Sequence, residues 1–286
     1  VKYAVIAPST TGVSADPAWI TAYAQHAETL GFESLVLVEH TVVVRGYQSS
    51  YPYDPSGQMG IAEDCDVPDP LQLLAFLAGQ TTELGLATGV LILPNHHPVP
   101  LAKRVATLAA LSGGRVRLCI GMGWMREELE ACGAPFEARG RRADEQIEVL
   151  RKLWSGEPVD HDGEFFSFHQ AICRPASQVP IHVGGHTVAA ARRAGRLGDG
   201  LQPLGVAGDD LRRLVDEMHS AASDAGRDPA ALELSLGHLV ARVDEAKAMR
   251  MEALGAHRVV LDPTPTTDLP AALDELTACA SRLGLT

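Results

Sequence analysis

Basic residues are scarce in this chain of 286: 24 Lys and Arg stand against 36 Asp and Glu, a formal charge of −12. Nucleic-acid binding relies on a clustered excess of Lys and Arg, so that partner class is not expected. Cysteines are few and scattered, at positions 65, 119, 132, 173 and 279. An odd number without a CxxC pair argues against a disulfide framework and against a cysteine zinc site. No apolar run approaches the roughly 20 residues that a membrane span requires. No basic segment followed by an apolar stretch opens the chain, so the cytoplasm is the expected compartment. Low-complexity segments and an interdomain linker are also missing. The first strand-to-helix turn, Pro8-Ser9-Thr10-Thr11-Gly12, is not a GxGxxG fingerprint, which argues against a dinucleotide-binding Rossmann domain.

What the chain does have is a repeated unit, clearest between Gly85 and Trp124. An apolar strand, Leu84–Leu93, leads to a helix from Pro98 to Leu111. Ser112-Gly113-Gly114 stops that helix, and a second apolar strand, Val116–Ile120, runs into Gly121-Met122-Gly123-Trp124. Gly89 lies inside the first strand, where glycine marks a bulge or a close backbone approach. Strand, crossover helix, strand is the unit of a parallel sheet. Further apolar strands read at Lys2–Ala7, Ser34–Val38, Ile181–Val183, Gly200–Leu204, Leu232–Leu236 and Arg258–Leu261. Helices read after Asp16-Pro17 and Asp69-Pro70, over Arg141–Trp154 and Thr187–Leu197, from a cap at Asp209, and over Glu245–Leu254 and Leu269–Leu283. Asp followed by Pro combines an N-cap with a residue suited to the first helical turn. Eight apolar strands alternating with eight helices predict an α/β fold, a (β/α)8 TIM barrel forming one domain over residues 1–286. Insertions are expected after strand two (Thr41–Pro68) and after helix four (His161–Arg174). A doubly wound open sheet is the alternative.

Chemistry in a barrel sits at the carboxyl ends of the strands. His40 is the leading catalytic candidate. It ends a buried strand, it heads a long loop able to close over it, and histidine exchanges protons near neutral pH. The competing reading is a histidine that only hydrogen-bonds the loop. Glu39 faces the opposite way along the strand; it is either a buried carboxylate orienting a neighbour or a surface group. Gly184-Gly185-His186-Thr187 opens a helix, whose exposed N–H groups and dipole form an anion site, or is simply a tight turn. Arg192 and Arg193 are expected on the solvated side of that helix. Carboxylates and histidines do not cluster at the strand ends as a metal cage requires. Adjacent histidines such as His96-His97 tend to point different ways, so no metal is expected. Glycines and apolar surface at the strand ends suit a large flat ligand instead.

Four segments carry a resemblance: LVLVEH (Leu35–His40), TGVLILPNHHP (Thr88–Pro98), LSGGRVRLCIGMGW (Leu111–Trp124) and VPIHVGGHTVAAARRAGRLGDG (Val179–Gly200). The GRRADEQIEVLRKLW helix fits as well. On these, the chain resembles the luciferase-like monooxygenase superfamily, in particular its branch that uses the deazaflavin coenzyme F420. The resemblance implies a barrel, usually a homodimer, with the ring of the cofactor at the mouth and a hydride passed to or from a small organic substrate. Carried over by position, it implies that Gly89-Val90 is a bulge under the ring, joined by a non-proline cis peptide, with Thr88 at the ring or its tail. Gly121 and Gly123 would let the ribityl chain pass close to backbone. Val183, Gly184, Gly185, His186 and Thr187 would surround the phosphate. His40, with Glu39 beside it, would be the proton-transfer site, covered by the loop that carries Tyr47, Tyr51 and Tyr53. Met125 stands where relatives commonly place asparagine, and no residues match a sugar-phosphate pocket. An FMN-dependent enzyme that uses oxygen and a non-catalytic cofactor-binding protein are the alternatives.

Overall fold

The computed structural model describes residues 1–203 and 205–285. Its strands are β1 (Lys2–Ile6), β2 (Ser34–Leu37), β3 (Gly85–Thr88), β4 (Leu91–Ile92), β5 (Val116–Gly121), β6 (Val159–Asp162), β7 (Ser167–Ala171), β8 (Ile181–Gly184), β9 (Gly200–Gln202), β10 (Glu233–Leu239) and β11 (Arg258–Asp262). Its helices are α1 (Pro17–Thr29), α2 (Pro70–Ala78), α3 (Pro98–Leu111), α4 (Arg126–Ala131), α5 (Arg139–Trp154), α6 (Val188–Leu197), α7 (Gly208–Asp224), α8 (Glu245–Ala253) and α9 (Leu269–Arg282). The sheet runs β3-β2-β1-β11-β10-β9-β8-β5-β4, every pair parallel, and β3 also pairs with β5. That last pairing closes it. Because β3 and β4 are two halves of one stave, the result is the expected eight-staved (β/α)8 barrel. The β6–β7 hairpin is antiparallel and lies outside the ring.

Local chemistry explains the boundaries. Asp16 and Asp69 accept hydrogen bonds from the backbone of the first turns of α1 and α2, with Pro at the start of each. Thr187 caps α6 through the Ala190 N–H. Asp209 is not the cap expected of it: it lies in the first turn of α7, where its charge still favours the helix dipole, and Ala207 holds the cap position. The expected continuous strand Leu84–Leu93 is interrupted. The Gly89-Val90 peptide is cis, and Leu93–Asn95 is a single 3-10 turn. Leu204, the expected end of the sixth strand, lies outside the described residues. No helix among the described residues is long and apolar enough to cross a membrane.

Alternation along the strands sorts side chains into two sets. Leu35, Leu37, Leu86, Leu118, Ile181 and Val259 face outward and meet the helices in one continuous core. Ala4, Val36, Ala87 and Val260 form a separate small cluster inside the barrel. At the amino-terminal end of the strands the interior is charged: Arg117 and Arg258, 8% and 2% exposed, converge on Glu33. The opposite end is the mouth.

Candidate active site

Glycines shape the floor of the mouth. A Cβ at Gly121 or Gly184 would lie 2.5 Å from the side chain of Val90, and one at Gly89 would strike Val36. Val90 therefore turns into the top of the barrel, through space that its neighbours vacate. The space a side chain at Gly121 would need is thus filled by Val90. At Gly123 the same space is filled by Leu129 and Ile92. Thr88 is 2% exposed and donates its hydroxyl to the Cys119 carbonyl at 2.7 Å, so that donor is used inside the sheet. The Val183 side chain, one residue past inward-facing His182, points outward and is fully buried in the core.

Two histidine–carboxylate pairs stand at the rim. His40 Nδ1 lies 2.9 Å from Glu128 Oε2, and Glu128 Oε1 accepts the Thr41 N–H at 2.6 Å. Glu128 is 1% exposed on α4, and His40 is half-buried. A carboxylate only accepts, so Nδ1 carries the proton of this bond. Nε2 has no hydrogen-bond partner among the described residues. Glu39 is the buried carboxylate of its two readings: Oε1 meets His96 Nε2 at 2.8 Å and Oε2 accepts the Ile92 N–H. It thus ties the end of β2 to β4 and orients His96. His97 instead accepts from the Val99 N–H at the start of α3 and stands edge-on to Phe166, so the two adjacent histidines diverge. Met125 is fully buried and offers nothing polar to the mouth.

The loop after β2 folds across this rim. Tyr47 and Tyr51 pack edge-on against Trp124 with ring centroids 5.3 and 5.1 Å apart, Tyr51 meets Tyr53, and Tyr53 meets His186 at 5.2 Å. Burial raises the phenol pKa values of Tyr51 and Tyr53, and nearby Asp262 adds to the effect at Tyr51. A clamp from α4 holds the loop. Glu127 accepts the N–H of Gln48 at 2.7 Å and the hydroxyl of Ser49 at 2.7 Å. Those bonds, with the Ser49 hydroxyl foremost, lower its pKa to about 2.

The far side of the mouth is the turn into α6. Gly185 has φ of 128°, a backbone conformation suited to glycine. His186 Nδ1 is buried without a hydrogen-bond partner among the described residues. A buried ring nitrogen without a partner, which donates in its Nδ1–H form, stands beside the N–H groups that open α6 and fits an acidic group on a ligand. Arg193 is not on the solvated side of that helix as expected: it is 7% exposed and paired with Asp144 of α5, whereas Arg192 is exposed and paired with Glu217. A cavity of about 480 Å³ lies away from the strand ends, between α5 and the hairpin, lined by Glu145, Lys152 and His161 among others. His161 there already bonds both Lys152 and Glu145.

Glu127 and Glu128 are the candidate site residues that sequence reasoning missed. Their only readable sign is position, on a short helix directly after the strand-end glycines.

The family model for luciferase-like monooxygenases matches residues 3–276. The chain is 36% identical over 206 residues, 71% of each chain, to an uncharacterized protein of Mycobacterium tuberculosis. It is 31% identical over 212 residues, 70% of this chain and 57% of the relative, to the F420-dependent glucose-6-phosphate dehydrogenase of Microbacterium testaceum. Among solved structures, it is similar to an F420-dependent secondary alcohol dehydrogenase in complex with an F420-acetone adduct, with a TM-score of 0.78, 17% identity, and 99% of this chain and 98% of that one covered. It is also similar to the FMN-bound oxygenating constituent of 3,6-diketocamphane monooxygenase from Pseudomonas putida, with a TM-score of 0.66, 22% identity, and 89% and 71% covered. At these identities the structural likenesses show the fold.

Proposed function

The chain belongs to the luciferase-like monooxygenase family and is an oxidoreductase; from that premise we propose that it transfers a hydride between the deazaflavin coenzyme F420 and a small organic substrate at the mouth of a single barrel domain. The observation that carries this reading is His40, fastened at Nδ1 to a buried carboxylate and without a partner at Nε2 among the described residues. When bound, the coenzyme supplies two-electron hydride chemistry. Every other task belongs to the chain. His40 Nε2 takes up the substrate proton when a hydride leaves the substrate, and returns it in the reverse direction. Val90, turned up between Gly121 and Gly184, forms the floor on which a flat ring rests. Backbone at Gly121 and Gly123 lies beside that floor. Gly184, Gly185, His186 and Thr187 hold the phosphate, with His186 Nδ1 as donor. Tyr47, Tyr51 and Trp124 close over the site and exclude water.

Similarity to a relative and a neighbour named for F420 favours this coenzyme, whereas the FMN-bound neighbour favours the second reading, an oxygen-using FMN enzyme. Fluorescence titration with each cofactor separates them. F420 is expected to bind at least about tenfold more tightly than FMN. Tighter FMN binding would transfer the assignment to the second reading, and binding of neither would end both. A reduction screen over alcohols, aldehydes and activated enoates follows. In it, His40→Ala should lower turnover about a hundredfold or more with little change in coenzyme affinity, and unchanged turnover would remove His40 from the chemistry.

A further inference from the structure

We propose that Glu128 is a positioning residue that holds His40 in one tautomer, with the proton on Nδ1 and the lone pair of Nε2 directed to chemistry; this rests on the reading of His40 as the proton-transfer group.

The geometry is specific. Glu128 uses one oxygen for the Thr41 N–H and the other for His40 Nδ1, at 2.6 and 2.9 Å. A backbone N–H can only donate. An ionised carboxylate only accepts, so His40 Nδ1 donates as well, and Glu128 serves both partners through its two oxygens. The carboxylate is 1% exposed, so water does not substitute for it. Its helix is also held in place. Leu129 packs in a small buried cluster with Ile92 and Ala134, in the space left by Gly123. Arg126 pairs with Glu137 on the outer side. The preceding residue, Glu127, points away from Glu128, as adjacent helical positions do, and grips Gln48 and Ser49 of the covering loop. One short helix thus sets both the base and its cover. The second pair at the rim lacks this arrangement: Glu39 bonds His96 through Nε2 and spends its other oxygen on the backbone of β4, not on the covering loop.

The amide of Glu128→Gln has one acceptor and one donor. Thr41 N–H must take the acceptor, so the amide N–H faces His40 Nδ1, which can then only accept. The imidazole proton is forced onto Nε2, and that nitrogen loses the lone pair that receives the substrate proton. Side-chain 15N NMR reads the tautomer directly, without cofactor, with the His40 signals identified by their loss in His40→Asn. The wild-type chain is expected to show the Nδ1–H form and Glu128→Gln the Nε2–H form. Single-turnover hydride transfer should fall about a hundredfold in Glu128→Gln, with coenzyme affinity changed less than about twofold. Glu128→Asp, which keeps two acceptors, should restore the Nδ1–H signal and part of the rate.

An Nδ1–H form that persists in Glu128→Gln would overturn the proposal, as would a wild-type chain already in the Nε2–H form. Should Glu128→Gln not fold, the Asp variant and the wild-type tautomer decide the matter. Absence of any hydride transfer in the wild-type chain would count against the proposed function and leave the tautomer measurement standing.

Discussion

The two ends of the barrel pair their carboxylates in different ways. At the closed end, Arg258 donates to Glu33 at 2.8 Å and to Glu233 at 2.9 Å, and Arg117 adds a bond to Glu33 at 3.0 Å. Ser34 and Ser235 complete the group. The charges there face one another within the barrel, and glutamates answer the arginines that alternation turns inward. At the mouth the pairs are histidine with glutamate, and the cation is replaced by a ring with two nitrogens. At His40 one nitrogen is fastened and the other has no partner among the described residues. Closed pairing ties the strands to one another, whereas half-closed pairing holds a ring nitrogen in a fixed direction, the proton-transfer atom under the proposed function. The same contrast separates a stability layer from a catalytic face in barrels generally.

The sharpest way to break the comparison is to remove the shared cation of the closed end. Arg258→Met leaves Glu33 and Glu233 without their main partner inside the barrel. We expect a loss of about 3 kcal/mol of stability, the low end of the range for breaking a buried pair, because both carboxylates are partly exposed and Glu33 keeps Arg117; it is read as a lowered urea midpoint. A loss below about 1 kcal/mol would mean that the closed end is not a locking layer.

A pH series sharpens it next. Burial foremost, with Arg117 adding to it, lowers the pKa of His182 to about 4. Unfolded, the same imidazole titrates near 6.5. Between those values the unfolded chain binds a proton that the folded chain refuses, so stability rises with pH there and is lost as pH falls from about 6.5 to about 4. The full loss is on the order of 3 kcal/mol. Glu33, held near 2 by Arg258 and Arg117 against the cost of its own burial, extends the slope downward: its stabilisation is present above about 4.5 and disappears as pH falls through 2. His182→Gln should flatten the upper part of the slope alone. A wild-type midpoint that stays constant from pH 6.5 to 4 would contradict this.

The closed end was also the less legible of the two. Apolar strands alternating with capped helices announce the fold, because parallel strands are buried on both faces and leave an unmistakable run. RVRLCIG and HRVVLD contain a sign that a strand-by-strand reading passes over: an arginine inside an apolar strand must face a paired interior. At the mouth, His40 and the interruption at Gly89-Val90 are readable, one from its place at a strand end and the other from a glycine within an apolar run. Glu128 is not readable, because its partner is 88 residues away in sequence and REELEA looks like any solvated helix. Arg193 misleads for the same reason, since Asp144 sits on another helix. Glycines mislead differently: they report that something comes close, and at Gly121 and Gly184 that something is the chain's own Val90.

The smallest expected effect belongs to the mouth, and it tests whether the cover there is fastened separately from the fold. Glu127→Gln keeps the shape of the clamp but removes its charge, weakening the bonds to the Gln48 N–H and the Ser49 hydroxyl. Hydrogen bonds to a charged group contribute about 1.5 kcal/mol, so local opening should become about tenfold more frequent. Hydrogen exchange at the Gln48 and Ser49 amides reads this directly, and Trp124 emission should shift to the red as Tyr47 and Tyr51 leave its faces. The urea midpoint should stay where it is, because none of these residues reaches the charged layer at the closed end. Unchanged exchange at Gln48 would show that the aromatic contacts alone hold the loop. A lowered midpoint would show that the two ends of the barrel are less independent than their different pairing implies.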